Sequence, residues 1–209
     1  MSRSYGHYCG LARALDVIGD RWNLLIVRQL LMGPARYREL LDGLPGVATN
    51  MLSDRLRDLE TAGVIERRPA DAGNAVVYAL TPWGDELREP IQGLIRWSTP
   101  LMVSGPGGDP FHPEWLAVAL PALIDSARQT DSDSPPTVGL AIDEQLFQVR
   151  ATEAGLEVSR HDGRTLDAVL RADPMIILGM AAGVLGFDDV RQDVELEGDE
   201  KALLSIFAR

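Results

Sequence analysis

The sequence predicts an α+β protein of two domains, the first mainly helical and the second a mixture of helices and strands. Residues 1–98 contain four helix-like stretches and then two strand-like runs, whereas short strand-like runs dominate the second half. Between them, the segment 103–113 holds three Gly and three Pro, which indicates a linker. Residues 1–98 carry 12 Arg and 12 acidic residues, while residues 99–209 carry 8 basic and 19 acidic ones. The whole net charge of −11 therefore lies in the second half, and the two halves are expected to do different jobs.

Four helices are predicted in succession in the first half. Apolar residues recur three or four positions apart in each stretch, and Gly or Pro separates most of the stretches. The predicted helices are Leu11–Ile18, Arg21–Met32, Tyr37–Leu44 and Thr49–Ala62. Asp20 and Thr49 are expected to cap the second and fourth helices, because their side-chain oxygens can accept hydrogen bonds from the first helical N–H groups.

A hairpin and a long helix are predicted next. The strands are expected at Val64–Arg68 and Ala75–Leu80, around a turn at Pro69–Asn74, and Pro82 is expected to begin a helix that reaches Ser98. A helical core followed by a hairpin and a closing helix is the order of a winged helix-turn-helix domain. We assign this domain to residues 1–102.

Residues 113–209 are predicted to form a second, α+β domain. Its helices are expected at Glu114–Gln129, Met175–Leu185 and Asp199–Phe207. Its strands are expected at Val138–Ile142, Leu146–Ala151, Leu156–Ser159, Asp167–Ala172 and Val194–Glu197. The first three strands are close together and suit an antiparallel meander. A polar loop is expected at 130–136.

The composition argues against several classes of protein. No stretch approaches the roughly 18 apolar residues of a membrane span, and the polar N-terminus is not followed by a signal-peptide core. A single Cys allows no internal disulfide, so we expect a cytoplasmic protein without membrane partners. The three His residues have no metal-ligand spacing, and no phosphate loop or nucleophile elbow is present. We therefore expect no metal, no cofactor and no enzymatic activity.

Three segments of the first half, preceded by Cys9, resemble the HxlR family of winged helix-turn-helix regulators. They are ALDVIGDRWNLLIVRQLLMGPARYREL (14–40), LSDRLRDLETAGVIERR (52–68) and VVYALTPWGDEL (76–87). The resemblance implies a bacterial transcription regulator that binds double-stranded DNA as a homodimer, with the first helix and the helix Pro82–Ser98 in the dimer interface. Two-fold symmetry then calls for an inverted-repeat operator. The family more often has Ser and a basic residue at Thr49 and Asn50, so the operator sequence stays open.

The helix that begins at Thr49 is the expected recognition helix, because the major groove of B-DNA accepts one helix. Its apolar residues Leu52, Leu56 and Leu59 form one stripe, and the polar residues beside them turn outward. Asn pairs with adenine and Arg with guanine through two hydrogen bonds, whereas Ser and Thr select less. Base contacts are therefore expected from Thr49, Asn50, Ser53 and Arg57.

Five further arginines are expected to hold the DNA backbone, which positions the protein without reading sequence. They are Arg36, Arg38, Arg55, Arg67 and Arg68. The alternative for each arginine is an ordinary solvated surface residue paired with a nearby carboxylate. Asp54 is expected to organise an arginine, because a carboxylate near phosphate is repelled.

Cys9 lies where several members of the HxlR family sense electrophiles or oxidants. A reactive thiolate needs exposure and a positive environment, which Arg13 and the start of the first helix are expected to provide. The alternative is an inert, partly buried thiol. Without a second Cys, a disulfide can form only between chains or with a small thiol.

The second half resembles the sterol carrier protein fold, an α+β domain with an apolar tunnel. The resemblance rests on RADPMIILGMAAG (171–183) and VELEGDEKALLSIF (194–207). Joined to a DNA-binding domain, such a domain is expected to sense an apolar small-molecule effector. The expected pocket residues are Met175, Ile176, Ile177, Leu178, Met180, Val184, Leu185 and Phe187. The alternatives are a filled core, a domain that only dimerises or shields the DNA-binding face, and a lipid-binding carrier whose winged helix serves protein contacts only.

Overall fold

The computed structural model of this chain describes residues 4–70, 75–102, 104–124, 135–152 and 155–207. The backbone divides into two compact units, Met1–Ile91 and Gln92–Arg209, and the division falls within the helix Arg88–Ser98. The domain limits expected from the sequence, 1–102 and 113–209, place that helix wholly in the first domain and stay a prediction. Among the described residues, no helix has both the length and the apolar character needed to cross a bilayer.

The first unit begins with the four predicted helices. They are α1 (Gly10–Ile18), α2 (Asn23–Leu31), α3 (Tyr37–Asp42) and α4 (Thr49–Thr61). Helices α2, α3 and α4 bury apolar side chains that form the core of the unit, whereas α1 buries only Ala12 and leaves Leu11 and Leu15 of its predicted stripe exposed. The most buried members of this core include Ile26, Val27, Leu30, Leu40, Leu52, Leu56 and Leu59. The helices are confirmed, with their ends shifted by one or two residues.

The two predicted capping side chains were wrong. Helix α2 begins at Asn23, whose N–H donates to the backbone carbonyl of Asp20 at 3.0 Å. The Asp20 carboxylate instead pairs with Arg55, 35 positions away in the chain, so it does not cap α2. Helix α4 has Ala48 as its N-cap, and Thr49 is already the first helical residue.

The predicted hairpin is confirmed as an antiparallel pair. Strands β1 (Ile65–Pro69) and β2 (Val76–Leu80) pair in the register Ile65↔Leu80. Ala35, just before α3, adds a bridge to Tyr78 through two backbone hydrogen bonds of 2.9 and 2.8 Å. Residues 71–74 of the expected turn lie outside the described residues.

The predicted continuous helix Pro82–Ser98 was wrong, because the chain forms two helices there. They are α5 (Pro82–Asp85) and α6 (Arg88–Ser98). Thr81 caps α5 by accepting from the N–H of Gly84 at 3.1 Å. A Cβ atom on Gly84 would overlap the carbonyl oxygen of Val64, the residue just before β1. The backbone at Gly84 therefore packs directly against the backbone at Val64. Helix α5 ends at Asp85, and after two turn residues the chain starts α6 at Arg88.

The second unit is a five-stranded sheet with helices. Its helices after α6 are α7 (Leu116–Leu123), α8 (Pro174–Ala181), α9 (Phe187–Val190) and α10 (Glu200–Phe207), with 3-10 turns at Thr99–Met102 and Pro113–Trp115. Its strands are β3 (Thr137–Ile142), β4 (Gln145–Thr152), β5 (Gly155–Arg160), β6 (Ala168–Arg171) and β7 (Glu195–Gly198). The strand order is β5-β4-β3-β6-β7, with β3 and β6 parallel and the other pairs antiparallel. The predicted meander is therefore confirmed as β3-β4-β5.

Two helical predictions in this unit need correction, and one helix was not predicted. The helix expected at Glu114–Gln129 starts as a 3-10 turn, and its residues 125–129 lie outside the described residues. Helix α8 ends at Ala181 rather than at Leu185, because Gly183 takes a positive φ of 66° and the chain reverses. The Leu185 side chain then packs over Gly179, where any Cβ atom would collide with it. Helix α9 was not expected.

One face of this sheet carries the core of the second unit. The alternating residues Val138, Leu140 and Ile142 of β3 are fully buried, as are Phe147 and Val149 of β4. They join side chains from α7, α8 and α10 in one apolar cluster. The opposite face carries polar pairs, such as the ion pair between Arg150 and Glu157 at 2.8 Å. The sterol-carrier resemblance of this unit stays a prediction.

Candidate nucleic-acid interface

Helix α4 separates a buried apolar side from an exposed polar side. Leu52, Leu56 and Leu59 are buried, and Thr49, Asn50 and Arg57 are exposed. The first turn of α4 contains no acidic residue, so its positive dipole end is not neutralised by a side chain. A helix N-terminus of this kind attracts phosphate groups.

Asn50 and Arg57 are the two exposed residues of α4 with the strongest base-reading chemistry. The Asn50 Oδ1 accepts from the backbone N–H of Met51 at 2.9 Å, which holds the amide near the first turn. The Arg57 side chain is 70% exposed and pairs with Asp54 at 3.1 Å. Asp54 therefore organises Arg57, in the way expected from the sequence. An exposed pair of this kind is weak, so Arg57 can exchange the carboxylate for a base edge at little cost.

Arg55 stands apart from the other arginines of α4. Its side chain is only 18% exposed and makes ion pairs with Asp20 and, at 3.1 Å, with Asp58. Both carboxylates belong to the same unit, so the guanidinium is engaged inside the protein. This arrangement favours a structural role for Arg55 in place of the expected phosphate contact.

Four other predicted anchors are exposed at two places in the first unit. Arg36 and Arg38 lie at the start of α3, and Arg67 and Arg68 lie on β1. Within the part of the chain that the structure describes, none of these four side chains forms an ion pair with a carboxylate. The Arg67 guanidinium lies 5.8 Å from the centre of the Tyr78 ring. Since successive side chains of a strand point to opposite faces, Arg67 and Arg68 face opposite sides of the hairpin.

Tyr37 is a candidate residue that sequence reasoning missed. Its hydroxyl donates to the backbone carbonyl of Thr49 at 2.8 Å and lies 3.2 Å from the Ser53 hydroxyl. Ser53 donates to the same Thr49 carbonyl at 3.0 Å. No sequence signal links Tyr37 to α4, because the bond joins residues 12 positions apart on two helices.

Cys9 is exposed and is the N-cap of α1. Hydrogen bonds from the backbone N–H of Ala12 and then of Leu11 lower the pKa of the Cys9 thiol. The start of α1, as predicted, is thus one cause of the lowered pKa of the Cys9 thiol. The Arg13 guanidinium is engaged elsewhere, with Asp16 at 3.6 Å and the Ser4 hydroxyl at 3.4 Å.

The eight residues expected to line an apolar pocket fall into three environments. Ile177, Met180 and Phe187 are buried in the core cluster of the second unit. Val184 is 58% exposed. The other four are half-buried: Met175, Ile176, Leu178 and Leu185. In the described ranges, no group of three His, Cys, Asp or Glu side chains is placed to hold a metal ion.

Known proteins match the first half of the chain. The family model described as HxlR-like helix-turn-helix matches residues 17–104. The HTH-type transcriptional regulator sll1512 of Synechocystis is 39% identical over 84 residues, which cover 40% of this chain and 62% of that protein. The HTH-type transcriptional regulator YodB of Bacillus subtilis is 34% identical over 86 residues, which cover 41% of this chain and 77% of YodB.

Among solved structures, the reduced form of YodB from Bacillus subtilis is 31% identical, with a TM-score of 0.41. The match covers 47% of this chain and 99% of that one. The match to the family model ends at residue 104, and the chain spans less than two thirds of the length of sll1512. Because the family model matches residues 17–104 and most of YodB aligns at 34% identity, the chain belongs to the HxlR-like helix-turn-helix family, whose relatives named here are transcriptional regulators and not enzymes.

Proposed function

We propose that this chain is a cytoplasmic transcription regulator that binds an inverted-repeat operator as a homodimer. The observation that carries the proposal is the geometry of α4. Three buried leucines fix one side of this helix to the core, and Asn50 and Arg57 project from the side that is left. These are the two residue types that read adenine and guanine in the major groove.

Electrostatics of the first half are consistent with local rather than global attraction to DNA. Residues 1–98 have no net charge, so long-range attraction is weak. The exposed arginines Arg36, Arg38, Arg67 and Arg68 are instead available as point contacts to phosphate. Binding should therefore depend on salt through these few contacts.

Exposed apolar side chains on two helices support the homodimer. Leu11 of α1 is 70% exposed, and Trp97 of α6 is 75% exposed. Leu15 and Leu94 on the same helices are also exposed. Large apolar side chains that are exposed on a helix mark interaction sites, and a second copy of the chain would bury those of each helix.

The proposal is tested by titrating the full chain with two labelled DNA duplexes. One duplex is the upstream region of the gene itself, and the other is a scrambled duplex of the same composition. We expect tighter binding to the first and protection of two half-sites about 10 base pairs apart, centre to centre. Equal affinity for both duplexes would favour the alternative, a lipid-binding carrier whose winged helix serves protein contacts only.

An apolar effector is the second part of the proposal, and α8 supports it. Each residue of this helix is apolar (PMIILGMA), yet only Ile177, Met180 and Ala181 are buried. Ile176 and Leu178 remain half-buried against the core, so apolar surface is left over. An effector that binds there would change operator affinity only if it binds the free and DNA-bound forms differently. Native mass spectrometry for a co-purifying ligand, followed by operator titration with and without it, tests both steps.

Thiol-based regulation at Cys9 is the third part of the proposal. The thiol is exposed, and the N–H groups at the start of α1 stabilise its thiolate. Modification of Cys9 would place a new group at the beginning of α1, one of the two helices assigned to the dimer interface. Its effect on DNA binding would therefore pass through dimer geometry.

A further inference from the structure

We infer that Tyr37 is a positioning residue for the recognition helix, and that Ser53 belongs to the same hydrogen-bonded group rather than to the residues that read bases. The inference rests on the DNA binding proposed above. We call Tyr37, Thr49 and Ser53 the hydroxyl cluster. It joins the first residue of α3 to the first turn of α4.

The hydroxyl cluster is organised around one backbone oxygen. Tyr37 Oη donates to the Thr49 carbonyl at 2.8 Å, and Ser53 Oγ donates to it at 3.0 Å. The two hydroxyl oxygens are 3.2 Å apart, so either can also donate to the other. Each hydroxyl has a single proton. Two of these three hydrogen bonds therefore form at any moment, and the Ser53 hydroxyl is engaged in each arrangement.

Tyr37 adds a hydrogen-bonded tether to the first turn of α4, which is otherwise held by the packing of the buried Leu52. The N-cap residue, Ala48, has no side chain that can cap the helix, and the Asn50 Oδ1 accepts from the N–H of the adjacent Met51. Farther along α4, Arg55 is tied to Asp20 in the connection between α1 and α2. Tethers at two turns resist rotation of α4 about its own axis.

Rotation of α4 matters because base reading depends on hydrogen-bond geometry. Side-chain ends lie about 5–6 Å from the axis of a helix, so a rotation of roughly 20° moves them by about 2 Å. A donor and an acceptor separated by that extra distance no longer form a hydrogen bond. Asn50 and Arg57 can therefore select bases only while the first turn of α4 is held in place.

Ser53 is less suited to reading than its neighbours on α4. Its side chain is half-buried, whereas Asn50 and Arg57 are exposed. Its hydroxyl proton is shared between the Thr49 carbonyl and Tyr37. A base contact would have to replace one of these bonds.

The test compares Tyr37→Phe, Ser53→Ala and the wild type in the full chain. Tyr8→Phe is the matched control, since it removes the same atom from an exposed ring outside the helix-turn-helix. The measurement is the ratio of affinities for the operator and for a scrambled duplex. We expect Tyr37→Phe to lower this ratio about three- to tenfold, which corresponds to the usual net contribution of one hydrogen bond. Ser53→Ala leaves the Tyr37–Thr49 bond intact and should lower the ratio of affinities less than twofold. The preference at each single base pair should stay the same.

A second measurement examines the cluster without DNA. The Leu52 N–H donates to Ala48 within the first turn of α4, so its hydrogen exchange reports opening of that turn. We expect several-fold faster exchange in Tyr37→Phe and no change in Tyr8→Phe. Wild-type exchange in Tyr37→Phe overturns the positioning role, and a Ser53→Ala protein that loses preference at one base pair overturns the assignment of Ser53. A wild-type chain that binds both duplexes equally refutes the proposed function itself, whatever the exchange experiment shows.

Discussion

Helices α4 and α8 differ in how their apolar residues are arranged. Helix α4 concentrates its leucines in one buried stripe and is polar elsewhere, whereas α8 is apolar on every side. The first arrangement leaves a polar surface that can exchange water for the polar groups of DNA. The second leaves half-buried apolar surface around a buried centre, which suits an apolar partner. The burial of apolar side chains therefore leaves a polar surface on α4 and a partly apolar surface on α8.

The largest expected effect tests whether α8 has a true inner side. Ile177→Ala should lower the free energy of unfolding of the second unit by about 2–5 kcal/mol, because this side chain is fully buried in the core cluster. Val184→Ala, just beyond α8, should change it by less than about 0.5 kcal/mol, because this side chain is exposed. Urea denaturation followed by circular dichroism measures both. Similar losses in the two variants would contradict the burial of Ile177 in the core cluster.

The next effect tests the outer side of α4. Arg57→Ala or Asn50→Ala should weaken operator binding by about 1–3 kcal/mol and leave binding to a scrambled duplex nearly unchanged. Arg164→Ala is the control, since Arg164 is also exposed and pairs with an acidic neighbour, Asp162, at 3.0 Å. Anisotropy titration gives the affinities. A loss of the same size on both duplexes would remove Asn50 and Arg57 from base reading.

A smaller effect concerns the hairpin. Neutralising Arg67 and Arg68 together should weaken binding to every sequence and flatten the dependence of affinity on salt, by about one in the log–log slope for each lost phosphate contact. Because the two side chains face opposite sides of the hairpin, the single variants should differ, and one of them should account for most of the change. A salt slope equal to that of the wild type in the double variant would rule out the hairpin as a phosphate anchor.

The smallest effect concerns Cys9. Its lowered pKa places more thiolate at neutral pH than an ordinary Cys has, so alkylation by iodoacetamide should follow a pH profile with a midpoint below that of free cysteine. Diamide should change operator affinity in the wild type and not in Cys9→Ser. The pH profile of the alkylation rate measures the pKa of the Cys9 thiol. The titration measures whether oxidation of Cys9 changes operator affinity. A midpoint equal to that of free cysteine, with the same diamide response in both proteins, would leave Cys9 an inert thiol.

Much of the proposed DNA-binding surface followed from local sequence patterns. The spacing of Leu52, Leu56 and Leu59 identified the inner side of α4, and with it the exposure of Thr49, Asn50 and Arg57. No comparable information existed for α8, because a helix that is apolar all round has no periodicity to separate Ile177 from Ile176. Which of its residues are buried depends on the elements packed against it.

Residues that are close in the chain were enough to predict helices α1 to α4, the hairpin, the meander and the separation of neutral and acidic halves. The folded structure was needed to show that Asp20 pairs with Arg55 and that Tyr37 bonds to Thr49. It was also needed to show that β6 lies parallel to β3. These contacts join distant segments, and local propensity says nothing about which distant groups will meet.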